Sequence, residues 1–169
     1  MKRNLSNSPI PIKLFLGIDP GQTGGCALMD RNRKVVMASL WDESLLAQIA
    51  AIHSDGITID GIVYGSITYC VLEQVHAMPG NGVSSMFKFG TNYGMWQGML
   101  RSNGIPFSLI TPQRWMKEIL DSGSREPDHR FDYALRHWPT APLFGPKGGK
   151  RKGVADGCII ADYARRTFE

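Results

Sequence analysis

Hydrophobic positions follow two rhythms along this chain. Residues 13–19 (KLFLGID) form an apolar run of strand length, and Pro20-Gly21-Gln22-Thr23-Gly24-Gly25 after it is turn chemistry. Residues 26–30 and 35–40 read as two more strands of a meander. The rhythm then becomes helical: Leu45, Leu46, Ile49, Ala50 and Ile52 line one stripe over 43–53, with Asp42 as its cap and Asp55-Gly56 as its stop. Residues 57–67 fit either an irregular strand or a hairpin, and 68–75 (TYCVLEQV) read as a buried strand. A Gly/Pro loop at 76–83 leads to a long helix, capped by Ser84 or Ser85 and stopped near 102 by Asn103-Gly104. Residues 106–110 form a short strand. Thr111-Pro112, with Thr at N-cap and Pro at the first helical position, starts a helix to about 120. Helices over 128–138 and 152–166 flank a Pro/Gly/Lys loop at 139–150. The order β-β-β-α-β-α-β-α-α-α predicts an α/β fold: a mixed five-stranded sheet, its first three strands antiparallel, with helices on both faces.

The length of 169 residues suits one domain, here 13–169 behind a loose tail at 1–12, and excludes a two-lobed nucleotide-binding ATPase or sugar kinase. Charged residues make 20% and hydrophobic residues 43%, which excludes a disordered chain. No apolar run approaches the ~18–20 residues of a membrane span. The start of the chain has no apolar signal region, and the widely spaced Cys26, Cys70 and Cys158 form no C-x-x-C pair. The expectation is a cytoplasmic protein with reduced, buried thiols.

Charge changes the picture once it is located. Residues 1–100 carry 7 basic and 7 acidic side chains, and residues 101–169 carry 12 and 8, so the whole excess of +4 lies in the last 69 residues. Lys147, Lys150, Arg151 and Lys152 are the densest block. Such a block suits a polyanion, or is a solvated loop.

Three carboxylates sit in apolar surroundings: Asp19 at the end of the first strand, Glu73 inside VLEQV, and Asp156 near the start of the last helix. Each alone has a structural reading, as a turn cap, an ion-pair partner or a helix-terminus charge. Glu73 fits such a reading worst. Buried charges need partners, and three brought together would repel unless a divalent ion lay between them, for which carboxylate oxygens and Mg²⁺ are suited.

These fragments resemble a known family. Leu16-Gly17-Ile18-Asp19-Pro20-Gly21 is similar to the first strand of RuvC-type Holliday-junction resolvases, Val71-Leu72-Glu73-Gln74-Val75 to their second acidic motif, and Ala155-Asp156-Gly157-Cys158-Ile159-Ile160-Ala161 to their C-terminal acidic helix. HAMPGNGVSSMFKFG, from His76, resembles phage-type and chloroplast-type members. The resemblance spans roughly residues 14–166. It implies a ribonuclease H-like fold and a homodimer that cuts four-way DNA junctions by symmetric paired nicks, with roles in DNA recombination and repair. It implies Asp19, Glu73 and Asp156 as ligands of two Mg²⁺ ions, with Mn²⁺ able to substitute. Two ions about 3.5–4 Å apart activate water and stabilise the leaving oxygen. The chain departs from the family where many relatives carry a fourth metal-site residue, an acid or His three or four positions before Asp156: here Gly153 and Lys152 stand there. Lys152 is then a candidate for contacting the scissile phosphate or lowering the site's net negative charge, or is simply part of the basic run.

Several residues are candidate DNA contacts. His76 stands where related resolvases place an aromatic at the crossover, or is an ordinary strand-end His. Asn81 lies in a Gly-Asn-Gly loop, Ser84 and Ser85 start a helix whose free N–H groups favour phosphate, and Arg114 and Lys117 follow the Thr-Pro cap. Lys147, Lys150 and Arg151 suit phosphate contacts that raise affinity without reading sequence. The long helix carries Gly90, Gly94 and Gly98, each costing about 1 kcal/mol of helix propensity. That pattern predicts close approach of another backbone, with Phe89, Tyr93 and Trp96 on a candidate dimer face; the alternative is a fully buried core helix. Other readings stay open: a ribonuclease H-like nuclease for RNA or other branched DNA, or a non-catalytic junction-binding relative. No G-x-x-x-x-G-K-[ST] loop is present, so no nucleotide cofactor is expected.

Overall fold

The computed structural model describes residues 10–76, 82–120 and 127–169. Most of the expected loose tail, and Asn81, lie outside the described residues. Three antiparallel strands come first: β1 (Ile12–Asp19), β2 (Gly25–Asp30) and β3 (Val35–Leu40). Helix α1 (Ser44–Asp55) follows, and Asp42 caps its approach by accepting the Ser44 amide at 2.9 Å. The ambiguous segment resolves into a hairpin, β4 (Ile57–Ile59) and β5 (Ile62–Glu73). Its turn, Asp60-Gly61, has positive φ at both residues, the backbone a two-residue hairpin needs. Then come α2 (Val83–Ser102), whose N-cap is Gly82 and not Ser84 or Ser85 as expected, β6 (Phe107–Ile110), α3 (Pro112–Ile119), α4 (Pro127–His137) and α5 (Lys152–Phe168).

The strands form one mixed six-stranded sheet in the order β3-β2-β1-β5-β4, with β6 also paired to β5. β1 runs parallel to β5, and β5 parallel to β6. β4 is the strand beyond the expected five; it adds a short hairpin arm at the start of β5.

Side-chain alternation along the strands divides the core in two. Leu14, Leu16 and Ile18 of β1 join Cys26, Leu28, Cys70 and Leu72 under α1 and α2. Phe15, Ala27, Met29 and Val71 face the opposite way, into a cluster with α3, α4 and α5. On this second face Gly17 has no side chain because α5 lies directly on it: a Cβ there would enter the backbone of Gly157 and Ala161. Gly24 and Gly153 make a second backbone-to-backbone seat through an isolated bridge. Helix α5 is buried along most of its length, from Gly153 to Ala164. The three cysteines are free and buried.

Candidate functional site

The register fixes where the acids fall. Ile18 of β1 pairs with Leu72 of β5, so Asp19 and Glu73 come next, side by side at the carboxyl ends of two parallel strands. Alternation turns both toward the α5 face, since Ile18 and Leu72 point into the other core. Asp156 lies one turn into α5, on that same face, and its charge acts on both of the others. Three elements far apart in sequence thus bring Asp19, Glu73 and Asp156 together at one end of the sheet.

Each acid has a distinct local setting. The Asp19 carboxylate accepts the Gly21 amide at 3.0 Å, so the Pro-Gly turn holds its own ligand. Asn92 of α2, buried, braces that turn by donating to the Pro20 carbonyl at 2.9 Å. Glu73 accepts a 3.0 Å hydrogen bond from the Trp115 indole on α3. Asp156 is gripped by Arg130 of α4, whose Nε and Nη2 reach its two oxygens at 2.8 and 2.9 Å.

The electrostatics show that the site is short of positive charge. Burial and then the Asp156 charge push Asp19 up to about 6, against the Gly21 amide and Arg130. Burial, followed by repulsion from Asp19, pushes Glu73 up to about 8, although the Trp115 hydrogen bond opposes this. Burial also raises Asp156, while Arg130 lowers it. Two adjacent half-buried carboxylates of this kind fit a hard divalent cation in donor chemistry and in charge. Among the described residues, however, no three His, Cys, Asp or Glu side chains are grouped to hold one ion between them. The third carboxylate is committed to Arg130.

Arg130 is the residue that the sequence pattern did not single out. The need for a cation beside three buried acids was legible, but nothing in its own stretch distinguishes Arg130 from the neighbouring basic residues. The sequence reading placed Lys152 at the site instead. Lys152 is exposed and its ammonium pairs with Asp128 of α4 at 3.0 Å, while its charge lowers Asp156 through space.

The DNA-contact candidates fall around this end of the sheet or on the basic loop. A cleft of about 460 Å³ next to Glu73 is lined by Gln22, Gln74, His76, Ser85, Phe89 and Gln113. His76, Ser84 and Ser85 are exposed there. Arg114 is exposed and loosely paired with Glu118 at 3.4 Å, and Lys117 is exposed beside it. Lys147 is exposed; Lys150 leans over the Phe131 ring and toward Asp128, and Arg151 reaches the Pro142 carbonyl at 3.5 Å.

The candidate dimer face divides. Trp96 is fully buried in the chain's own core, against Trp41 at 5.2 Å between ring centroids, so a second copy has no access to it. This corrects its assignment to an interface. Phe89 and Tyr93 are half-buried. Gly90, Gly94 and Gly98 are exposed, and a Cβ built on each meets nothing within 4 Å. The helix is therefore buried on one side and bare on the other.

No protein-family model and no curated protein sequence matches this chain. Solved structures do. RuvC from Thermus thermophilus in complex with Holliday junction substrate superposes with a TM-score of 0.55 at 12% identity, over 93% of this chain and 97% of that one. A second Thermus thermophilus RuvC structure gives 0.53 at 16% identity with the same coverage. The chain has a RuvC-like, ribonuclease H-like α/β fold. No helix among the described residues is long and apolar enough to cross a membrane.

Proposed function

We propose that this protein is a divalent-metal-dependent endonuclease that resolves four-way DNA junctions by symmetric paired nicks, working as a homodimer in the cytoplasm during DNA recombination or repair. The observation that carries this is the convergence of Asp19, Glu73 and Asp156 at the carboxyl ends of β1 and β5 within a RuvC-like fold. Negative charge beside a phosphodiester is unfavourable without a cation, so a plain DNA-binding role does not explain three acids gathered at one point, Asp156 buried and Asp19 and Glu73 half-buried. The junction as substrate follows from the likeness to a RuvC that was solved with one.

Asp19 and Glu73 would hold the metal, Mg²⁺ or in its place Mn²⁺. A divalent ion so placed supplies an activated water and a counter-charge for the leaving oxygen. The chain's own residues do the positioning. The Gly21 amide and Asn92 fix Asp19, and Trp115 fixes Glu73. Lys147 and Arg151, with Arg114 and Lys117, supply phosphate contacts along the arms. The bare glycine stripe of α2 supports a two-fold partner, and a two-fold partner matches paired cuts in opposed strands.

One assay tests the reading: labelled four-way junction, duplex, fork and RNA–DNA hybrid, each with Mg²⁺, Mn²⁺ or EDTA. Paired symmetric nicks confined to the junction and abolished by EDTA are expected. Equal cutting of the hybrid, or cutting in EDTA, would sink it.

A further inference from the structure

We infer that the centre takes one divalent ion, on Asp19 and Glu73, and that Arg130 is a built-in second cation beside it and a catalytic residue toward the phosphate. The inference rests on the nuclease reading above and narrows it.

Three observations carry it. First, Arg130 binds Asp156 as a fork, at 2.8 and 2.9 Å to its two oxygens, so a second metal on those oxygens would meet a positive charge already seated there. Second, this is not a loose surface arginine. Its side chain is 17% exposed and its Nη1 also reaches the Met116 sulfur of α3 at 3.9 Å. Helix α3 therefore fixes both halves of the centre, since the adjacent Trp115 holds Glu73. Third, the charges close. Among the described residues, three carboxylates, all ionised once a metal is held, and one guanidinium sum to −2, which one divalent ion neutralises. Two ions would leave +2 in a mostly buried pocket, an arrangement that desolvation disfavours.

A guanidinium keeps its charge at any working pH and presents donors in a rigid plane. In the hydrolysis, the water oxygen bonds to phosphorus, the bond from phosphorus to the 3′ oxygen breaks, and a water proton passes through solvent to that oxygen. Arg130 neither gives nor takes the proton. It lies beside the ion's two ligands, where it can meet the negative charge that builds on the phosphate oxygens. The two ions that the family resemblance implies are thus replaced by one ion and one arginine.

The test counts ions on full-length, DNA-free protein by the loss of the free Mn²⁺ resonance in electron paramagnetic resonance. Wild type should bind one Mn²⁺ per chain, Arg130→Gln two, and Arg130→Lys one, because the lysine restores the charge. Junction cleavage should fall at least a hundredfold in Arg130→Gln and recover in part in Arg130→Lys. A wild type that holds two ions, or an Arg130→Gln protein that is folded by circular dichroism and still holds one, overturns the inference. If Arg130→Gln fails to fold, the wild-type and Arg130→Lys counts decide. Two ions with normal junction cleavage would remove this inference and leave the nuclease reading standing. No bound ion and no cleavage would remove both.

Discussion

Asp156 and Asp162 are two buried aspartates on one helix, six positions apart, with opposite surroundings. Asp162 is fully buried and over-supplied with cations: Arg33 at 3.1 Å, Arg165 at 3.0 Å and Arg166 at 2.9 Å all reach it. Those arginines tie the β2–β3 turn to the end of α5, and Arg33 also stacks over Trp138. Among the described residues Asp156 has one ion-pair partner, Arg130, and shares its neighbourhood with two more acids. Burial does not separate a functional acid from a structural one. The balance of charge around it does: a satisfied carboxylate is part of the scaffold, and a group left short of cations is where a metal or substrate completes the structure.

Substitutions can break or sharpen this contrast. The largest effect is expected from Asp19→Asn or Asp156→Asn, which should lower junction cleavage roughly a thousandfold, about 4 kcal/mol of barrier. For Asp19→Asn thermal melting should barely change, since repulsion among the acids is relieved, whereas Asp156→Asn also breaks the Arg130 fork and should lower Tm; a large drop in Tm for Asp19→Asn would mean that this acid holds the fold. Next, Asp162→Asn should show the reverse. Breaking a buried network of this kind costs about 3–5 kcal/mol, and at about 2–4 °C per kcal/mol for a chain of this size that is a clear loss in Tm. If its melting is unshifted, the scaffold role of Asp162 is wrong. Trp115→Phe leaves a smaller aromatic ring and removes the indole N–H that donates to Glu73, a hydrogen bond to a carboxylate worth about 1.5–3 kcal/mol. Single-turnover kinetics should slow roughly tenfold to a hundredfold with junction binding unchanged. The smallest effect belongs to Lys152→Ala, which removes an exposed pair with Asp128 worth about 0–1 kcal/mol. Cleavage within a few-fold of wild type is expected, and a hundredfold loss would return Lys152 to the site.

Much of this was legible in the chain. Apolar runs and the caps at Asp42 and Thr111-Pro112 located the strands and helices to within a few residues, because burial and capping act locally. The carboxylates stood out because Glu73 in a buried strand has no ordinary reason to be there. The hairpin at 57–67 was ambiguous although Asp60-Gly61 is a strong turn signal, because the flanking strands lack clean alternation. Arg130 was missed for a different reason. Its partner lies 26 residues away, and one arginine on a polar helix carries no local mark of the ion it faces. Trp96 misled in the opposite direction, since an aromatic on a glycine-rich helix suits an interface and a core equally, and only the sheet beneath it decides.

The glycine seats under α5 have a consequence for how this molecule tolerates change. At Gly17, and again where Gly24 meets Gly153, helix and sheet touch main chain to main chain, with no side chain as a spacer. The gap between the strand that carries Asp19 and the helix that carries Asp156 is therefore set by two covalent backbones, like the fixed jaw of a gauge. Elsewhere in the core a methyl group can be added or lost and neighbouring rotamers adjust. Such drift does not reach the spacing of the acids. At these glycines even one methyl group would force helix and strand apart and change that spacing.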